Sequence, residues 1–387
     1  MKILTIGASP YLLVRNGKMH ADCIQKFVEE GHHVVSAVWH HDDTYFMPTD
    51  DGRHEYVVDD KKICDLHPFT PKLDTASPII YELLKKVQPQ LVVTIGDHKD
   101  TNFFAAIKSM YPNLFKWLAV YTNDCLGLQS LHKDAFEFTD SIVTTSIFAL
   151  DQINKIANIN GLYLPYGIDH NKFYNKRIER TGVIKVARNM QSCNIAAFFN
   201  AVADIDTNSY LHTNLYDPGD YDIEYLADRF AAKKTKYTTD YCSIQDGISD
   251  DDLCNLYNSH TVYVDCSMKS ATALSMLEAM ACGCVPVGMN YARTGEILGE
   301  MPEPYRFFVP YNLYVGLNAE EYAIICAQKL KETITAVLND KERLLEASDY
   351  AQQLAQKYSK KDFKNKIYSV AARTMNQKYA ITIENLL

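Results

Sequence analysis

The chain has 387 residues, too many for one ordinary core and few for three, so its length predicts two domains. With 47% apolar and 22% charged residues the composition excludes a mostly disordered protein, and a net charge of −9 excludes whole-molecule attraction to nucleic acid or anionic lipid. Ten cysteines without a CxxC pair or a regular spacing speak against a zinc ribbon or a disulfide framework and for reduced, buried thiols. No apolar run is long enough for a membrane span, and the expected location is the cytoplasm.

Met1–Gly7 reads as a buried strand that stops at a glycine. A loop with Arg15 and Gly17 leads into a helix whose apolar face carries Met19, Cys23, Ile24 and Phe27, with Gly31 at its cap. His33–Trp39 is a second strand, which makes a right-handed parallel crossover unit. Leu91–Ile95, Trp117–Tyr121 and Ser141–Thr145 continue the series, and Leu162–Tyr166 leads into the turn Gly167-Ile168-Asp169. A second alternation starts at Val183–Val186. It runs through a helix over Asn194–Val202, a strand near Tyr210–His212, a helix capped by Ser249 with Asp252, a strand at Val262–Asp265, a helix at Ala273–Ala281 and a strand at Val285–Gly288. The segment Glu320–Ala371 reads as helical throughout. The fold class is therefore α/β: two Rossmann-like domains facing a cleft, with a C-terminal helical tail.

Several segments of the second half resemble the donor-binding signature of glycosyltransferase family 4. They are Leu256-Tyr257-Asn258, Tyr263–Ser267 and Leu277-Glu278-Ala279-Met280-Ala281-Cys282-Gly283. Ser141–Ser146, Leu164–Asp169 and Val186-Ala187-Arg188-Asn189 fit the same family in the right order. The resemblance implies a GT-B fold and a retaining, nucleotide-sugar-dependent hexosyl- or pentosyltransferase. Its domains would be an acceptor domain over 1–168, a donor domain over 169–365 and a helix over 366–387 returning toward the first. It also implies no cofactor beyond the donor, expected to be a UDP-sugar, and no metal.

Elementary chemistry supports some of the implied roles. Ser270-Ala271-Thr272-Ala273 is a small-residue loop at a helix N-terminus, where backbone N–H groups and the helix dipole favour phosphate. Glu278, two turns further, has apolar flanks unlike a solvated face and can accept two hydrogen bonds from ribose hydroxyls. Arg188 follows a strand, where an open α/β sheet binds ligands, and its rigid fork suits a diphosphate. Gly17 lies where a backbone would approach phosphate. In the first half, Asp124 and His98 follow strand ends and are candidates for positioning the acceptor or moving its proton. His40-His41-Asp42-Asp43 alternates sides along an extended segment and reads as a polar loop rather than one metal site.

The chain departs from the family pattern twice. The family's second glutamate, eight positions before Glu278, is Ser270, and its lysine five residues after the arginine is Cys193. A missing cation beside a leaving diphosphate would cost about 2–4 kcal/mol of transition-state stabilisation unless Lys269, Lys185 or Lys18 replaced it. The acceptor is expected to be a glycan or small molecule. One alternative is hydroxymethylated DNA, which would need a basic rim from Lys99, Lys108, Lys116 and Lys133. Another is a non-catalytic nucleotide-binding subunit. A nicotinamide oxidoreductase fits poorly, because Gly7-Ala8-Ser9-Pro10 lacks the GxGxxG spacing.

Overall fold

A computed structural model of the chain describes residues 1–39, 54–70, 73–125, 127, 133–157, 159–215, 221–238, 247–316 and 320–376. It divides into two compact units. The first takes Met1–Asn123, the stretch up to Pro165 and the chain from Lys361 on; the second takes Asp124–Gly127 and Tyr166–Lys360. The segment His40–Asp43 lies outside the described residues.

The first unit carries strands β1 (Lys2–Ala8), β2 (His33–Trp39), β3 (His54–Val58), β4 (Lys61–Pro68), β5 (Leu91–Gly96), β6 (Lys116–Tyr121), β7 (Ser141–Thr144) and β8 (Leu162–Tyr163). Its helices are α1 (Arg15–Glu29), α2 (Leu73–Val87), α3 (His98–Thr101), α4 (Phe103–Met110), α5 (Lys133–Glu137) and α6 (Ile147–Ile156). The sheet order is β3-β4-β2-β1-β5-β6-β7-β8, parallel except for the β3–β4 hairpin. Ile3, Leu4, Ile6, Leu91, Val92 and Val93 are fully buried, as continuous apolar runs in a parallel sheet require. Gly31 takes φ +79°, a left-handed cap beyond α1. The hairpin and α2 extend the crossover series that the sequence announces.

The second unit runs β9 (Val183–Val186), α7 (Ile195–Val202), β10 (Ser209–His212), α8 (Ile223–Arg229), β11 (Thr235–Tyr237), α9 (Asp250–Asn258), β12 (Val262–Asp265), α10 (Leu274–Ala281), β13 (Val285–Gly288), α11 (Ala292–Gly299) and β14 (Phe307–Phe308). Its six strands are parallel in the order β11-β10-β9-β12-β13-β14. Ser249 caps α9 as its sequence predicts: its hydroxyl oxygen accepts from Asp252 N at 3.1 Å and its O–H donates to the Asp252 carboxylate at 2.7 Å.

The expected helical run from Glu320 needs one correction. Antiparallel strands β15 (Tyr311–Val315) and β16 (Glu321–Ile325) precede helices α12 (Ala327–Asn339), α13 (Lys341–Ala355) and α14 (Lys360–Asn376). The reason is local: Tyr, Val and Ile favour a pleated ribbon, and Tyr311 to Val315 supplies such a run opposite Glu321–Ile325. From Lys361 on, α14 belongs to the first unit, where Thr374 donates to Ser141 at 2.8 Å and Lys364 pairs with Glu29 at 3.2 Å.

Candidate functional site

In each sheet the chain leaves one central strand in opposite directions, and ligands of open α/β sheets bind beyond the carboxyl ends of the strands at that switch. In the second unit the switch lies between β9 and β12, which pair directly. The segments that follow these strands are Ala187–Asn194 and Cys266–Ala273. They contain Arg188, Lys269, Ser270, Thr272 and Ala273 from the sequence-derived set, and Glu278 follows on α10. In the first unit the switch lies between β1 and β5, followed by α1 and by His98; Gly17, expected in a loop, lies in the first turn of α1.

Ala273 precedes α10 in the left-handed conformation, φ +48°, with no side-chain cap over the first turn. A non-glycine residue there costs about 1–2 kcal/mol, a strain held by the loop around it. That loop is anchored on both sides. Ser270 N donates to Asp124 O at 3.2 Å, and Arg293 N donates to Ser270 O at 3.2 Å. Met268 O accepts from Ala323 N at 3.0 Å, which docks β16 on the loop. Asp124 belongs to this second unit although it follows β6 in sequence. Its carboxylate lies 3.4 Å from the Lys269 ammonium, which also sits 5.7 Å from the centre of the Tyr322 ring. Asp124, Lys269 and Ser270 are thus brought together.

Glu278 is 4% exposed, and Tyr257 on α9 donates its hydroxyl to Oε2 at 3.0 Å. Burial first, and the Glu278 charge second, push the Tyr257 phenol well above its ordinary value, so it keeps its proton and serves as donor. Arg188 is exposed, and its guanidinium makes no ion pair with any described residue. Cys193 stands where the resemblance implies a lysine, and Lys185 lies buried against it. Burial opposes the Lys185 charge, yet Cys266, Asp265 and Cys193 around it hold the ammonium above its ordinary value. The same Asp265 accepts from Thr294 Oγ1 at 2.5 Å and from Ser267 N at 3.1 Å.

Gly17 and His98 belong to the first unit. A Cβ on Gly17 would stand 2.4 Å from Leu12 O and 2.7 Å from Ser9 O, so the segment packed against the first turn of α1 already demands glycine. His98 Nδ1 lies 2.5 Å from Asp97 Oδ1. Burial works to raise the Asp97 carboxyl, but the His98 hydrogen bond and charge hold it down at about 2. Sequence reading passed over Asn123, which is 2% exposed; neither its Oδ1 nor its Nδ2 has a hydrogen-bond partner among the described residues. Adjacency to Asp124 was its one sequence signal. Tyr322 carries no site signal in the sequence, because its strand reads there as part of a helix.

Of the four lysines proposed for the basic rim of the DNA alternative, Lys99 is exposed and the other three pair with nearby carboxylates. Lys108 is buried against Asp140 at 2.9 Å, Lys116 pairs with the same carboxylate at 2.9 Å, and Lys133 pairs with Glu137 at 3.3 Å.

No family model matches the chain, and no curated protein does. Solved structures do. Sucrose-phosphate synthase from Thermosynechococcus elongatus has a TM-score of 0.76 at 14% identity, with 97% of this chain and 99% of that chain covered. The pneumococcal O-GlcNAc transferase GtfA, in complex with UDP and GlcNAc, has a TM-score of 0.64 at 11% identity over 97% and 99% of the two chains. The catalytic domain of starch synthase IV from Arabidopsis thaliana, bound to ADP and acarbose, has a TM-score of 0.61 at 12% identity over 97% and 99%. The fold is GT-B. No helix among the described residues is long and apolar enough to cross a membrane.

Proposed function

We propose that the chain is a glycosyltransferase that moves a hexosyl or pentosyl group from a UDP-sugar to a hydroxyl of a glycan or small molecule, with retention of configuration. One observation carries this reading: a carboxylate, Glu278, buried on the helix behind the β9–β12 switch point and held by a tyrosine, in a chain with the GT-B fold. A buried carboxylate is costly unless it is hydrogen-bonded, and a ribose diol offers two matching donors. The α10 N-terminus, with Thr272 and Ala273, takes the diphosphate, and Arg188 and Lys269 supply its countercharge. Ser270, in place of a carboxylate, reads fewer sugar hydroxyls. Asp124, bound to Lys269, orients the transferred sugar, while Asn123, Gly17 and His98 serve the acceptor side of the first unit. In a retaining transfer the leaving diphosphate oxygen takes the acceptor proton, so no protein nucleophile is required.

The test is nucleotide release from UDP-, GDP-, ADP- and CDP-sugars with water, simple glycans and small hydroxylated acceptors. Release with one donor that Glu278→Gln abolishes establishes the reading. No release from any donor, together with no nucleotide binding, refutes it.

A further inference from the structure

Tyr257 is fully buried, its ring packed edge-to-face between Phe173 at 6.2 Å and Tyr263 at 6.2 Å. Its backbone carbonyl accepts from the Cys284 thiol at 3.1 Å, and one turn along α9 the Cys254 and Cys282 sulfurs touch at 3.8 Å. Helices α9 and α10 therefore meet at two neighbouring contacts, Cys254 on Cys282 and Tyr257 on Glu278. The first contact is buried in the apolar core. The second places a hydroxyl among Met276, Leu277 and Met280, where phenylalanine would fill the same space without a polar group to satisfy. A buried Tyr–Glu pair adds little to stability over a well-packed apolar pair, so its effect is on geometry. The hydroxyl donates to Oε2 and so restricts rotation of the carboxylate.

We propose that Tyr257 is a positioning residue for nucleoside recognition: by fixing Oε2 of Glu278 it aims the carboxylate at the ribose diol and sets the preference for ribose over deoxyribose. This rests on the reading of Glu278 given above. Tyr257 does not touch the ligand; it acts through Glu278.

The experiment is calorimetric titration of the full chain with UDP, ADP, GDP and CDP and with their 2′-deoxy counterparts. The proteins are wild type, Tyr257→Phe, Glu278→Gln and the double variant. Tyr257→Phe keeps the ring and its edge-to-face contacts, and its melting temperature reports on the fold. Wild type is expected to prefer the ribonucleotide. Tyr257→Phe is expected to cut that preference about tenfold, the effect of one lost hydrogen bond to a charged group, while deoxynucleotide affinity stays unchanged. The double variant is expected to lose no more than Glu278→Gln alone. An equal fall for both nucleotides would make Tyr257 a packing residue, and an unchanged ratio would overturn the inference as well. If Glu278→Gln abolishes the preference while Tyr257→Phe leaves it, the inference alone fails. If Glu278→Gln leaves the preference intact, or wild type binds no nucleotide, the reading of Glu278 fails and takes this inference with it.

Discussion

Asn123→Leu offers a test in which stability and activity move in opposite directions. The carboxamide follows β6, is 2% exposed, and leaves both its donor and its acceptor without a partner among the described residues. Each unmet buried polar group costs about 1–3 kcal/mol, so an apolar side chain of similar size relieves about 2 kcal/mol after allowing for imperfect packing. In a protein of this size that raises the melting temperature by several degrees, at about 2–4 °C per kcal/mol. If the cost is carried because the amide binds a sugar or acceptor hydroxyl, the same substitution lowers kcat/KM by at least about tenfold, the loss of one hydrogen bond at the reacting end of the substrate. Differential scanning calorimetry and donor-dependent nucleotide release measure the two effects on one preparation. A variant that is less stable than wild type and fully active would show that the amide is satisfied in solution and has no substrate role.

Three further outcomes follow from local geometry. His20 is fully buried, with Nδ1 2.8 Å from Ala8 O and Nε2 3.2 Å from Ser36 Oγ, and burial lowers its pKa to about 4 despite the Ala8 contact. The unfolded chain binds that proton near pH 6.5, so stability is intact above this value and falls as the pH drops toward 4, by roughly 3 kcal/mol in all; His20→Gln should flatten the slope of melting temperature against pH between 7 and 4.5. Ala273→Gly should raise stability by about 0.5–1 kcal/mol by relieving a positive φ, whereas Ala273→Val should lower it in the same urea titration. Gly17→Ala forces a Cβ within 2.4 Å of a backbone oxygen that has no flexible end to yield, and should cost about 1–3 kcal/mol in thermal melts.

The sequence announced some parts of this molecule clearly and hid others for identifiable reasons. β2, β9, β12 and β13 match their sequence ranges to the residue, because a strand buried on both faces must be a short apolar run closed by a polar or glycine residue. β15 was hidden because four of its five residues are exposed, so no buried stripe marks it, and β16 because the Ala-, Leu- and Lys-rich helices that follow set the tone of the whole window. Within the site, Glu278 stood out because a lone carboxylate between apolar residues contradicts a solvated face. Tyr257 gave no such signal, since an aromatic residue on the inner side of a helix reads as core and its hydroxyl is visible only once α9 lies against α10. Asp124 shows the same limit differently. Its contact with Lys269 spans 145 positions of the chain and groups it with the second unit, which no local pattern encodes.

The cation missing at Cys193 separates two lysines by their neighbours. Lys185 lies against that cysteine, yet it is 1% exposed and faces Asp265, whose oxygens are already engaged by Thr294 and Ser267 N. Its charge is therefore consumed inside the fold, and what remains for a diphosphate is Arg188, exposed at the same turn, with Lys269 beside Asp124. Lys185→Met removes a buried positive charge near Asp265, so it should cost about 1–3 kcal/mol of stability, while the folded fraction keeps its donor affinity. Arg188→Ala should do the reverse, leaving the melting temperature within about 1 °C and weakening nucleoside diphosphate binding by about tenfold or more, the loss expected for a charged hydrogen bond to phosphate. Thermal melts with and without UDP separate the cases. If Lys185→Met were as stable as wild type and lost the nucleotide-induced shift, the buried lysine would be the diphosphate's cation, and the charge assignment made here would be wrong.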